Sequence, residues 1–386
     1  MSIVKIKELN LHNKKVLIRT DLNVPIYNKK ITSDARILAA LPTIQYAIQQ
    51  KSKVIIMSHL NRPIEGEYSE KYSLLPVFKY LKKKLSYTSV HFCSNYVDSK
   101  KIEPGEVCLL ENVRFNIGES INCDKLSKNY SKLCDIFVMD AFGSAHRKQS
   151  STYGIMKFTP IVCAGLLLER EIKILSQIFI NPMKPIVAIV GGSKISTKLK
   201  LLNSLGKIAD TIIVGGGIAN TFIAIDNNVG NSLYEKKFIP LAKKLKNKYN
   251  ILIPIDSRVG HTFSSKSLAN VKTVSNINNQ EEIMDLGDET IKLAKNIINT
   301  AKTIIWNGPV GVFEFPNFRI GTKIIATSIA NSRGFSVAGG GDTLSVIDMF
   351  SIKNKISYIS TGGGSFLQFL EGKQLPVIKL LEQRSL

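Results

Sequence analysis

Short apolar runs rich in β-branched residues alternate along this chain with longer stretches in which apolar positions recur every three or four residues. Residues 16–19, 54–57, 107–110 and 136–139 read as strands, and residues 35–50, 74–85 and 125–133 between them as amphipathic helices. The rhythm resumes in the second half, with strands predicted at 186–190, 211–214, 251–255, 303–306, 335–338 and 358–360. Strands that are apolar throughout and separated by helices belong to parallel sheets covered on both faces. The expected fold class is α/β: two doubly wound, Rossmann-like parallel-sheet domains separated by a cleft. Between them, residues 166–178 carry leucines and isoleucines at helical spacing opposite Glu169, Arg170, Glu171 and Lys173, and Asn181-Pro182 ends the pattern. This predicts a connecting helix with a hinge at either end. The expected domains are therefore 1–165 and 182–374, with 166–181 joining them.

Composition agrees with two cores, since 386 residues at 44% hydrophobic content exceed what one small domain needs. No stretch approaches the roughly 20 apolar residues of a membrane helix; the longest, residues 160–168, stops at Glu169. The first 15 residues are studded with lysine and carry no secretory pattern, so a soluble, cytoplasmic protein is expected. Cys93, Cys108, Cys123, Cys134 and Cys163 show no C-x-x-C spacing and read as free thiols. The formal charge of +22 comes from dispersed lysines without interleaved aromatics or any nucleic-acid-binding signature. It reads as a solvated basic surface that attracts small anions, with no nucleic-acid or membrane partner expected.

In open parallel sheets, ligands bind beyond the carboxyl ends of the strands. The first half places charged side chains there: R-T-D-L-N at 19–23, H-L-N-R at 59–62, E-N-V-R at 111–114 and D-A-F-G-S-A-H-R at 140–147, with Arg36 opening a helix nearby. Several guanidiniums and the imidazoles of His59 and His146 on one rim would repel one another unless a polyanion sat among them, and arginine's planar fork matches carboxylate or phosphate oxygens. The second half places glycine there instead: Gly191-Gly192, Gly215-Gly216-Gly217, Gly308 to Gly311 after Asn307, Gly339-Gly340-Gly341 and Gly362-Gly363-Gly364. Bare peptide amides along a rim, with helix starts behind them, suit the phosphates of a nucleotide. A Walker loop is absent, and the dinucleotide fingerprint at Gly215 to Asn220 lacks its third glycine. Lys194 and Lys198 are expected on one face of a helix start, both reaching a terminal phosphate, and Asp342 at a helix cap beside a divalent cation. A nucleotide rim facing an anion rim predicts phosphoryl transfer, and a carboxylate acceptor, already ionised, would need no general base.

The ordered motifs R-T-D-L-N-V-P (19–25), L-L-E-N-V-R-F (109–115), D-A-F-G-S-A-H-R (140–147), G-G-S-K (191–194), W-N-G-P-V-G-V-F-E (306–314), G-G-G-D-T (339–343) and S-T-G-G-G (360–364) resemble those of the phosphoglycerate kinases over essentially the whole chain. The resemblance implies reversible transfer between 1,3-bisphosphoglycerate and ADP, giving 3-phosphoglycerate and MgATP in glycolysis, by a monomer. It implies triose binding by Asp21, Asn23, Arg36, His59, Arg62, Arg114 and Arg147. Catalysis would fall to Arg36, Lys194, Lys198 and Gly341. The nucleotide would meet Lys198, Gly215, Gly216, Asn307, Glu314, Gly340, Gly341, Asp342 and Thr343, with Asp342 holding Mg2+. A carboxyl-terminal segment, 375–386, would return to the first domain. One departure is H-L-N-R-P at 59–63, where Asn61 replaces the family glycine; if that position requires positive φ, asparagine is the next most tolerant residue.

Overall fold

The structure, a computed structural model, describes residues 3–96 and 102–385, so the outermost positions of the expected domains, 1–2 and 386, lie outside it. Two compact units emerge, Met1–Ile174 with Gln374–Leu386, and Leu175–Lys373. In the first, a six-stranded parallel sheet runs in the order Val90–Cys93, Val107–Leu110, Lys53–Met57, Lys15–Arg19, Ile136–Met139, Ile161–Ala164. Its central strands are buried almost throughout, which is why they read as unbroken apolar runs. From Lys15–Arg19 the chain builds outward on one side and later returns to the other with Ile136–Met139. The topological switch point therefore lies between these two strands, at the end where Arg19 and Asp140 emerge.

The second unit repeats the plan, with Ile251–Leu252, Thr211–Val214, Ile186–Val190, Thr303–Asn307, Phe335–Gly339 and Tyr358–Ser360 in parallel. Its switch point falls between Ile186–Val190 and Thr303–Asn307, whose carboxyl ends carry Gly191 and Gly308. Trp306 is fully buried there, its indole donating to the Gly308 carbonyl at 3.0 Å.

Several elements depart from the sequence pattern. The edge strands Val90–Cys93 and Ile161–Ala164 were not foreseen, because His91 and Ile161 point to solvent and interrupt or blur the apolar run. The strand expected at 251–255 is only Ile251–Leu252; it is an edge strand, and Pro254 just beyond it has no amide to donate. The chain instead enters a three-stranded antiparallel sheet, Asn270–Thr273, Asp256–Gly260 and Glu282–Leu286, whose polar strands gave no apolar signal. The helix expected at 166–178 spans Leu166–Ile180.

At its start the amides of Leu167 and Leu168 donate to Asp140 Oδ1 at 2.9 and 3.1 Å. Asp140 therefore faces inward to hold that helix rather than outward to the rim, and Gly165 makes room, since a Cβ there would sit 2.3 Å from the carboxylate. The helix Pro376–Gln383 belongs to the first unit: the Val377 amide donates to Ala145 O at 3.3 Å, and Arg384 Nη2 to Thr159 O at 2.7 Å.

Candidate active site

In the first unit, three loops are stitched together. Arg36 Nη1 donates to both oxygens of Asp21, at 3.1 and 3.2 Å, and to the Asn23 carbonyl at 3.2 Å. Asn23 Oδ1 accepts the Asn61 amide at 2.8 Å, and Asn61 has φ +51°, the left-handed conformation that glycine or asparagine adopts at least cost. Asn112 clamps the same loop from beneath, accepting the Leu60 amide at 3.1 Å and donating to the Leu60 carbonyl at 2.7 Å. Arg114 closes the circuit by donating to the Asn61 carbonyl. Glu111 does not join the rim; it accepts the Ser73 hydroxyl at 2.6 Å and the Leu74 amide at 2.8 Å, fixing the start of the next helix.

The electrostatics show which groups converge. Burial, then Arg19, Arg114, Arg147 and Arg36, hold the His59 imidazole well below its ordinary pKa, so it is neutral. Arg114 is pushed down to about 10 by burial first and by Arg147 next; Arg147 is lowered by burial and by Arg62 and Arg36, against the pull of Asp21. Desolvation and Arg147 take His146 down to about 4, and Arg147 Nε lies 3.1 Å from its Nε2. Like charges packed until they depress one another form a site for an anion of several charges. Beneath them Arg19 is fully buried, and so is Glu119, which Ser151 links to it. Glu119 and Ser151 carried no sequence signal, since neither follows a strand nor sits in a recognisable spacing.

In the second unit, Lys198 donates from Nζ to Asn307 Oδ1, and Asn307 Nδ2 donates to the Gly339 carbonyl at 2.7 Å. Burial lowers the Lys198 pKa, with Asp342 and then Glu371 opposing it. The helix Gly341–Met349 begins beside this group, with Gly340 rather than Asp342 at the cap. Asp342 lies in the first helical turn, exposed. The expectation for Lys194 is also revised: its backbone is extended and its side chain exposed, while Lys198 precedes the helix Leu199–Gly206, so the two do not share a helical face.

The glycines divide into two kinds. A Cβ on Gly191 would lie 1.7 Å from the Pro309 carbonyl oxygen, and one on Gly215 would lie 2.3 Å from Val310 Cα, so these glycines let neighbouring rim loops touch. Around Gly341, by contrast, nothing lies within 4 Å of where a Cβ would be. Thr343 is buried and its hydroxyl accepts the Gly308 amide at 2.8 Å, joining the two strand ends; Glu314 is exposed, and its carbonyl receives Arg319 Nη2 at 2.7 Å.

Among the described residues no cluster of three acidic, histidine or cysteine side chains forms a self-sufficient metal cage. A single exposed carboxylate at a helix start, with an ammonium near it, suits a cation that comes with its own phosphate ligands, which is how Mg2+ is commonly bound.

A crowded guanidinium rim on one doubly wound sheet, and an open helix start with lysine and carboxylate on another, define a phosphotransferase acting on a small, highly charged acid. The family described as phosphoglycerate kinase matches residues 6–373. The chain belongs to the phosphoglycerate kinase family. A phosphoglycerate kinase of Buchnera aphidicola subsp. Acyrthosiphon pisum is 65% identical over 383 residues, covering 99% of this chain and 98% of the relative. That of Buchnera aphidicola subsp. Baizongia pistaciae is 60% identical over a similar span, 99% and 98%. Among solved structures, phosphoglycerate kinase from Coxiella burnetii superposes with a TM-score of 0.94 at 46% identity, covering 100% of both chains. The enzyme from Pyrococcus horikoshii OT3 does so at 0.83 and 32%, covering 99% of each. The activity is therefore that of a glycolytic kinase using ATP or ADP with Mg2+, and 3-phosphoglycerate or 1,3-bisphosphoglycerate.

Proposed function

We propose that the unit containing residues 1–165 binds the triose through Asp21, Asn23, Arg36, His59, Arg62, Arg114 and Arg147, and that the unit containing 182–374 binds the nucleotide. There Gly215, Gly216, Asn307, Glu314, Gly340, Gly341 and Thr343 line the nucleotide, Lys198 meets its terminal phosphate, and Asp342 would hold Mg2+. When bound, the metal would neutralise phosphate charge during transfer. Arg36, Lys194, Lys198 and Gly341 act on the moving phosphoryl group. Phosphoryl transfer asks a protein for positioning and charge stabilisation rather than covalent chemistry. The acceptor carboxylate is ionised at neutral pH, so no side chain need remove a proton. In-line transfer demands that the two bound ligands meet with water excluded.

The observation that carries this reading is the division of chemistry: guanidiniums after successive strands of one sheet, open amides with lysine and carboxylate after strands of the other. A coupled assay supplying 3-phosphoglycerate, ATP and Mg2+ tests it. ADP should form only when the triose is present; ADP release at the same rate without triose would refute the assignment.

A further inference from the structure

Arg19 ends the central strand of the first sheet and is fully buried. A buried cation must spend its donors on partners or lose stability. Arg19 directs Nε to Ser151 Oγ at 3.0 Å and Nη1 to the Thr20 carbonyl. Its Nη2 lies 3.2 Å from Nδ1 of His59. A guanidinium has no acceptor, so Nδ1 must accept, and the proton of the neutral ring belongs to Nε2. The guanidinium is itself fixed from behind. Ser151 accepts from Arg19 and donates its hydroxyl to Glu119 Oε1 at 2.5 Å, while the Ser151 amide donates to Glu119 Oε2 at 3.0 Å. Glu119 is fully buried and reaches Arg19 through this one hydroxyl rather than by direct pairing.

We propose that Arg19, held by Ser151 and Glu119, is a positioning residue that locks His59 in one tautomer and one orientation, so that the ring offers a single neutral donor, Nε2–H, to the anionic acid. A protonated ring would add another charge to a rim already crowded by Arg36, Arg114 and Arg147 and would lose its acceptor toward Arg19. A ring protonated on Nδ1 would face the guanidinium donor to donor and present a lone pair to the substrate. The inference rests on His59 belonging to the triose rim.

The test uses the full chain labelled with 15N-histidine, the His59 signals being assigned by their loss in His59→Gln. The wild-type ring should carry its proton on Nε2 and show an unprotonated Nδ1. In Arg19→Met the tautomer should become mixed, and KM for 3-phosphoglycerate should rise about tenfold, the worth of one charge-assisted hydrogen bond, with KM for ATP unchanged. Arg19→Lys, which keeps the charge without the fork, should fall between. Should Arg19→Met not fold, Ser151→Ala must shift the same signals and the same KM in the same direction. A wild-type proton on Nδ1, or a folded variant with unchanged tautomer and unchanged KM, overturns the role of Arg19 alone. An unchanged triose KM in His59→Ala, which has no donor to offer, overturns the rim assignment and the inference with it.

Discussion

Lys198 Nζ donates to Asn307 Oδ1, and the same asparagine reaches on to the Gly339 carbonyl, so one amide ties the ammonium to the ends of two adjacent strands. The lysine is thereby held in place before any ligand arrives. Pre-set charge is most useful where charge moves in the transition state.

Replacing Lys198 by alanine should lower kcat by roughly 10²–10³ while the KM for ATP changes only a few-fold. Steady-state kinetics at saturating 3-phosphoglycerate would show this. Unchanged turnover would remove Lys198 from the mechanism.

Arg36→Ala acts on the other rim. It breaks the contacts to Asp21 and Asn23 and takes one guanidinium from the cluster. Triose affinity or turnover should drop at least about tenfold, the scale of one charge-assisted bond. ADP binding, followed by calorimetry, should be preserved; a selective loss of ADP binding would reverse the assignment of the two rims.

Gly341→Ala separates folding from chemistry. The added methyl meets nothing within 4 Å, so the melting temperature should move by no more than about 2 °C. The methyl would nevertheless stand where nucleotide phosphates approach the helix amides, and kcat/KM for ATP should fall about tenfold or more. Gly191→Ala is the contrast, because its methyl would collide with the Pro309 carbonyl and cost stability first. If Gly341→Ala kept full kcat/KM, the open space beside it would not be a phosphate site.

Asp140 supplies a pH test. Loss of water pushes its carboxyl up to about 7, against Thr43 and the amides of Leu168 and Leu167. An unfolded aspartate titrates near about 3.9. Between about pH 4 and 7 the folded chain therefore holds a proton that the unfolded chain has lost. The stability this represents is complete at the acid end and disappears as pH rises through about 7. Asp140→Asn cannot titrate, and the other raised carboxyls, Glu119 and Asp285, are common to both proteins. The stability of wild type minus variant, from urea midpoints, should fall with rising pH by up to about 1.4 kcal/mol per unit in that window. A difference that is flat or rises with pH would contradict the burial argument.

Much of this was legible in the sequence because buried parallel strands are apolar on both faces: Val107–Leu110, Ile136–Met139, Ile186–Val190, Thr211–Val214 and Tyr358–Ser360 lie where the pattern put them. The edge strands Val90–Cys93 and Ile161–Ala164 were lost, since His91 and Ile161 reach solvent in a pattern that half-solvated backbone does not enforce, and the edge strand expected at 251–255 was drawn too long, past Pro254. The positive φ that Asn61 could tolerate, were the position to require it, is present at +51°. What spacing could not reveal was direction. Asp140 belongs to the same post-strand motif as Arg147, yet it turns inward to a helix start while the arginine joins the rim. Lys194 and Lys198 are four apart, but a 3-10 turn at Ile195–Thr197 separates them, so helical arithmetic did not apply. Ser151 meets Arg19 only through the folded chain, 132 positions away, and Glu119 reaches the arginine through that serine.

The Val4 amide donates to the Ser385 hydroxyl at 3.0 Å, and Gln374–Leu386 shares one unit with Met1–Ile174, with Leu175–Lys373 inserted between them in sequence. A nascent polypeptide emerging amino end first would carry an unfinished half-molecule through most of its synthesis. Its surfaces around Ala145 and Thr159 would stay bare until the closing helix left the ribosome. Because Val4 lies so close to Ser385, a short peptide joining the chain at these two residues would let it be opened in an outer loop without dismantling either sheet.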